Sequence, residues 1–216
     1  MDKQQVLARI TTTGLIPVIR ASSAAEALAA VAAIQRGGLS ILEITMTVPD
    51  AVALIGEVTR SVPEALVGAG TVLDPATAQA CIAAGARFVV SPALDADTIR
   101  VCRDAGVAVL PGALTPTEVV TAWRLGADLV KVFPANAVGG PSYIKSLKAP
   151  LPQIGLVPTG GVNLQTAKEF LKAGAAARGG GADRVDLVAL RRGDAAVITE
   201  RARQFVALVK EARAGV

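Results

Sequence analysis

Leu129-Val130-Lys131-Val132-Phe133-Pro134 is an apolar run interrupted by one lysine and closed by a proline. It has the length and composition of a short buried strand, and the proline, which cannot continue a ladder, marks its end. Just before it stands Leu125-Gly126-Ala127, where an Ala-rich helical stretch stops at glycine. The same punctuation recurs at Arg36-Gly37-Gly38, Ala84-Gly85-Ala86, Ala105-Gly106-Val107 and Ala173-Gly174-Ala175, each shortly before another apolar run. Those runs are Leu15 to Arg20, Ile41 to Thr45, Leu66 to Thr71, Phe88 to Ser91, Ala108 to Pro111, Gly155 to Thr159 and, weakly, Ala175 to Gly181. Together with the opening stretch they make eight strands separated by helices. Helix entry signals stand between them at Ser22-Ser23-Ala24-Ala25-Glu26, Asp74-Pro75, Thr115-Pro116-Thr117-Glu118 and Asn163.

Eight units in 216 residues average about 27 residues each, compact for a (β/α)8 barrel but within its range. Runs that are apolar on both faces are what parallel strands covered by helices require. The expected architecture is therefore α/β: one (β/α)8 TIM-barrel domain over 1–216, with an extra N-terminal helix through about Ile10. A doubly wound open sheet shares the alternation, and the strand count favours the barrel.

Composition narrows the chemistry. Mean hydropathy is +0.50, yet the longest clean apolar run, Ala27 to Ile34, is too short to span a bilayer. The N-terminus carries no signal-peptide pattern, so a cytoplasmic protein is expected. Cys81 and Cys102 fall on apolar helix faces and read as buried thiols. The chain contains no histidine, which removes the usual general base, the Ser-His and Cys-His dyads and nearly every zinc site. Acid and base work is left to carboxylates, lysine, tyrosine or water, and no metal site is expected. A net charge of +4 with only 3% aromatic residues favours small anionic ligands over nucleic acid, and with no spanning segment no membrane partner is expected.

Lys131 is the one lysine of seven within a strand-like apolar run. Burial of an ammonium group is costly, and the desolvation lowers its pKa toward the free amine that can condense with a carbonyl. The plainer alternative is a snorkelling lysine, or one paired with Asp128. Glu43 is its counterpart, the only carboxylate inside a strand run. Period-two alternation puts Glu43 and Thr45 on one face of their strand, and Leu129, Lys131 and Phe133 on one face of theirs. If both faces point into the barrel, an amine and a carboxylate share one cavity and can divide imine chemistry: attack on a ketone by one, proton transfer by the other. The plainer alternative here is a buried ion pair with a structural role.

Residues closing the other strands belong to the same end of a barrel: Arg20, Thr47, Thr71, Ser91-Pro92, Pro111-Gly112, Thr159-Gly160-Gly161 and Gly179-Gly180-Gly181. The late glycines fall where many barrels bind phosphate through backbone amides, or they serve only as tight turns.

Glu43-Ile-Thr45, Gly68-Ala-Gly-Thr71, Ser91-Pro92, Pro111-Gly112, Lys131-Val-Phe-Pro134 and Pro158-Thr-Gly-Gly161 occur in an order that resembles the class I aldolase family of 2-keto-3-deoxy-6-phosphogluconate (KDPG) aldolase, whose members often also act as 4-hydroxy-2-oxoglutarate (KHG) aldolase. The resemblance covers nearly the whole chain. It implies a homotrimer that reversibly cleaves KDPG to pyruvate and glyceraldehyde 3-phosphate, with Lys131 as the Schiff-base lysine and Glu43 as the acid/base group. No metal or organic cofactor is implied. Thr71, Pro92, Phe133 and Thr159 would line the pyruvate pocket, with Gly160, Gly161, Gly180 and Gly181 near the phosphate, and Thr45, Thr47 and Ala182 are expected among the substrate-binding residues. Many members carry an arginine where Thr47 stands, and Arg20 is expected to supply that cation to the substrate carboxylate or phosphate. Members often place a serine where Ala182 stands and a small or apolar residue where Arg178 stands. Arg178-Gly-Gly-Gly-Ala-Asp-Arg184 is accordingly a poor barrel strand.

Competing readings are a phosphosugar isomerase or epimerase on the same barrel, which would leave Lys131 non-nucleophilic, and an inactive barrel kept for assembly. A galactonate-derived phosphorylated sugar acid is the alternative substrate within the family. Trp123 and Tyr143 read as core or subunit-contact residues.

Overall fold

The computed structural model describes residues 1–180 and 187–214. Strands β1 (Val18–Ile19), β2 (Ile41–Thr45), β3 (Leu66–Gly70), β4 (Phe88–Val90) and β5 (Ala108–Leu110) pair in that order, all parallel. A second parallel set is β6 (Gly112–Ala113), β7 (Val130–Val132) and β8 (Leu156–Pro158). β5 and β6 are one strand interrupted at Pro111, which has no N–H to give the ladder. The neighbouring strand spans the break: the N–H of Asp128 donates to the Val109 carbonyl at 3.1 Å and that of Lys131 to the Pro111 carbonyl at 2.9 Å.

Closure rests on very little strand. Among the described residues, Gly179 alone forms bridges at the closure, to Thr159 on one side and Ile16 on the other, in keeping with the weak eighth run. Arg178 makes up part of the deficit. Its side chain is fully buried, and Nε donates to the Gly14 carbonyl at 3.1 Å while Nη1 donates to that of Ala167. The charge thus sits among carbonyl dipoles behind the strand. The result is a (β/α)8 barrel.

Helices α1 (Lys3–Thr13), α2 (Ala24–Arg36), α3 (Ala51–Ser61), α4 (Pro75–Ala83), α5 (Ala96–Asp104), α6 (Pro116–Arg124), α7 (Pro141–Lys148), α8 (Ala167–Lys172), α9 (Leu187–Arg191) and α10 (Ala195–Ala214) alternate with the strands, with a 3-10 turn over Ala135–Val138. Side-chain caps explain several starts: Ser23 accepts from Glu26 N–H, Asp74 from Thr77 N–H, and Thr115 forms a capping box with Glu118. α1 runs one turn beyond the expected Ile10 because Gly14, at φ 67°, supplies the left-handed cap only there.

Alternation along each strand sorts the core into an inside and an outside. Leu42, Ile44, Val67, Ala69, Val89 and Val109 face α2 to α5 and α10, while Val130, Val132 and Leu156 face α6 to α8. Ile41, Leu66, Phe88, Leu129 and Val157 point inward and meet Val6 and Ile10 of α1, which plugs the N-terminal end of the barrel. Arg9 holds that plug in place, donating to the Ser40 and Glu64 carbonyls. Both cysteines are free and buried; burial first, and then Asp74, pushes the Cys81 thiol up to about 11, while burial and Asp128 push that of Cys102 to about 12. No helix among the described residues is long and apolar enough to cross a membrane.

Candidate active site

The apolar plug leaves the carboxyl ends of the strands as the open end of the barrel. On β2 the inward positions are Ile41, Glu43 and Thr45; on β7 and its flanks they are Leu129, Lys131 and Phe133. Since Ile41 and Leu129 both belong to the inner cluster, Glu43 and Lys131, two residues further along, point into the same interior above it. Glu43 is 2% exposed and Lys131 4%, so neither charge is solvated in the ordinary way.

Each group responds to that burial. Desolvation lowers the Lys131 pKa, aided by the Arg20 cation and opposed by the Glu43 charge. Desolvation raises that of Glu43, against the Lys131 and Arg20 charges. Both shifts favour the neutral forms, an amine facing a carboxylic acid, and the two groups are close enough for each charge to bear on the other. Lys131 Nζ also lies 5.0 Å from the Phe133 ring centroid.

The plainer account of Lys131 had Asp128 as its partner. Asp128 is committed elsewhere: it pairs with Lys3 at 2.9 Å and accepts from the Val109 N–H at 3.0 Å. Snorkelling is also excluded by the burial of the lysine.

Other expected site residues gather less uniformly. Arg20 ends the first strand, exposed, and its charge reaches both Glu43 and Lys131. Thr45 Oγ1 donates to the Ile19 carbonyl at 3.0 Å and lies 2.6 Å from Thr47 Oγ1. With the Thr45 hydroxyl proton committed to Ile19, the proton between the two threonines comes from Thr47, which is left with only lone pairs to offer outward. Thr47 therefore does not replace the hydrogen-bond donors of an arginine. Thr159 is buried beside Gly179, and Gly160, Gly161 and Gly180 all have positive φ. Thr71 and Pro92 are half-buried at the ends of β3 and β4, and the Pro92 carbonyl presses so close to Gly112 that a side chain there would collide with it. Gly181 and Ala182 lie outside the described residues.

Thr71 carries visible strain. Its φ is 58°, a left-handed conformation that a β-branched residue adopts at a cost of roughly 1–3 kcal/mol. Thr71→Gly is expected to stabilise the chain by about 1 kcal/mol, since strain relief outweighs the extra unfolded-state entropy of glycine, while removing the pocket hydroxyl. Urea unfolding of the two proteins checks the sign.

Two neighbours of the site carry no role in the sequence reading. Asn136 lies over Gly160 and Gly161, where added Cβ atoms would come 2.7 Å from its Oδ1 and 2.6 Å from its Cβ; no local pattern marks it. Gly70 abuts Glu43, and its signal is legible in retrospect: glycine occupies consecutive inward positions on the strand beside a buried carboxylate. Of the two aromatics, Tyr143 donates to the Leu114 carbonyl, whereas Trp123 is 44% exposed and is not a core residue of this chain.

A (β/α)8 barrel with an amine and a carboxylate buried at the carboxyl ends of its strands has the equipment of an aldolase, a lyase that makes and breaks carbon-carbon bonds. The KDPG and KHG aldolase family model matches residues 6–201, and the chain belongs to that family. It is 35% identical to the 2-dehydro-3-deoxy-phosphogluconate aldolase of Pseudomonas aeruginosa over 97% of both chains. To the KHG/KDPG aldolase of Escherichia coli it is 33% identical over 91% of this chain and 92% of the relative. Among solved structures, KDPG aldolase from Legionella pneumophila, with pyruvate captured as a covalent carbinolamine intermediate, superposes with a TM-score of 0.85 at 30% identity, covering 92% of this chain and 97% of that one.

Proposed function

We propose that this aldolase cleaves a 2-keto-4-hydroxy acid to pyruvate and an aldehyde through an imine on Lys131, acting on KDPG, on 4-hydroxy-2-oxoglutarate, or on both. The observation that carries the reading is the burial of Lys131 opposite Glu43 in the barrel interior. The amine attacks the C2 ketone, and the carbinolamine loses water to an iminium with Glu43 moving the protons, directly or through water. Loss of the C4 hydroxyl proton then breaks the C3-C4 bond, the electron pair passing to the iminium nitrogen as an enamine and the aldehyde leaving. Protonation at C3 and hydrolysis free pyruvate and regenerate the amine.

In this reading Thr45, Thr71, Pro92, Phe133 and Thr159 surround the pyruvate half, and Gly160, Gly161 and Gly180 present backbone amides to the distal anion. Arg20 takes the role of cation for the substrate anion, supported by its reach to both buried groups. Arg20→Ala is expected to raise KM for the phosphorylated substrate about tenfold or more, the usual worth of a charge-assisted hydrogen bond; an unchanged KM removes Arg20 from the site. The 216 residues act as one barrel domain of a cytoplasmic homotrimer, which sedimentation at three chain masses would support.

Borohydride reduction with and without pyruvate, followed by mass spectrometry of the peptide bearing Lys131, tests the reading directly. A pyruvate adduct on that lysine is expected, and an unmodified peptide sinks it. A panel of 2-keto-4-hydroxy acids with and without a terminal phosphate then ranks KDPG, 4-hydroxy-2-oxoglutarate and the galactonate-derived acid.

A further inference from the structure

We propose that Gly70 is a positioning residue for proton transfer, holding the Glu43 side chain on its course by having no side chain of its own. On β3, residues 66, 68 and 70 face inward, and Gly68 pairs in register with Glu43 while Gly70 pairs with Thr45. A Cβ on Gly70 would stand 1.9 Å from Oε1, 2.5 Å from Cδ and 2.6 Å from Cγ of Glu43. All three nearest atoms thus belong to one carboxylate arm, which lies across the bare Cα of Gly70.

The alternative course is closed. The matching space beside Gly68 is filled by the Phe88 ring, whose nearest atom would be 2.2 Å from a Cβ there. Two glycines on one strand therefore divide the interior between an aromatic ring below and a carboxylate above. No protein group donates a hydrogen bond to the Glu43 carboxylate among the described residues, so packing, rather than a hydrogen bond, sets its direction. Gly70 lies within a regular strand and outside the positive-φ residues. A larger residue there meets a steric obstacle in Glu43 and no conformational penalty of the left-handed kind. Close-packed interiors transmit such an insertion as a displacement of the neighbour.

This inference rests on the reading of Glu43 as the group that moves protons, and the test separates the two. Exchange of the pyruvate methyl protons in D2O, followed by proton NMR, reports enamine formation without needing the full substrate. It is measured for the wild type, Gly70→Ala, Glu43→Ala and the double variant, alongside borohydride trapping and thermal unfolding of each. Gly70→Ala is expected to trap pyruvate on Lys131 yet to exchange about 100-fold more slowly, the low end of what a positioned acid or base contributes. In the Glu43→Ala background the change at residue 70 should slow exchange no further and should not lower Tm, because the three nearest atoms it would strike are gone and alanine removes the unfolded-state entropy of glycine. Wild-type exchange by Gly70→Ala while Glu43→Ala is slow overturns the inference alone. Wild-type exchange by Glu43→Ala overturns the reading of Glu43 and the inference with it. If Gly70→Ala fails to fold, cooperative unfolding of the double variant supports the collision with Glu43, and its failure to fold overturns it.

Discussion

Lys131→Met is expected to lower kcat/KM for 2-keto-4-hydroxy acids by about 10⁵-fold, the low end of the effective molarity of a positioned nucleophile, and to abolish the borohydride-stable pyruvate adduct. Without the amine there is no iminium to accept the electron pair of the breaking carbon-carbon bond, and no other lysine is buried within a strand to replace it. The same variant should be as stable as the wild type or more so, since methionine fills the volume without desolvating a charge. The sign with pH is fixed by the lowered pKa. Between that value and the ordinary 10.5, the unfolded chain holds a proton the folded chain has lost, so wild-type stability rises with pH across this window. The stability advantage of Lys131→Met is therefore largest on the acid side and disappears near pH 10.5. Chemical denaturation of both proteins at several pH values checks it; an advantage that grows with pH would mean the amine is not desolvated in the folded protein.

Glu43→Gln should reduce kcat by about 10²- to 10⁴-fold, the usual contribution of a general acid or base, with a smaller effect on trapping of pyruvate than on turnover. Glutamine keeps the length and shape that Gly70 accommodates, so the loss reports proton transfer and not repacking. Burial raises the Glu43 pKa, so the wild-type rate profile should contain a carboxyl group titrating above the ordinary 4.5, and that limb should vanish in the variant. Linkage gives the accompanying stability effect: the folded state holds this proton more tightly than the unfolded state, so the contribution of Glu43 is present below the ordinary carboxylate range and is lost as pH rises through the raised value. A variant with full turnover at every pH would leave Glu43 a structural group.

Anion recognition at the Thr45–Thr47 corner depends on groups whose donors and acceptors can be counted. Thr47 has its proton committed to Thr45, whose own goes to the Ile19 carbonyl. A substrate anion at this corner must therefore look to Arg20 or to backbone amides, and a substrate hydroxyl can instead donate to Thr47.

Much of this protein was legible in one dimension because the responsible forces are local or periodic. Alternation with period two put Glu43 with Thr45, and Lys131 with Leu129 and Phe133, on one face of each strand, and the inner cluster of Ile41 and Leu129 showed that face to be the inward one; side-chain caps at Ser23, Asp74 and Thr115 marked helix starts; and a lysine amid valines announced its own desolvation. Weakness at the eighth strand was equally readable in three consecutive glycines. Tertiary structure alone decided what meets across long separations. It gave Asp128 to Lys3 and so left Lys131 without that partner; it wrapped the carbonyls of Gly14 and Ala167 around the buried Arg178; and it laid the Glu43 arm over Gly70. Such pairings depend on strand register and barrel closure, which bring distant residues within contact distance, and no local propensity encodes them.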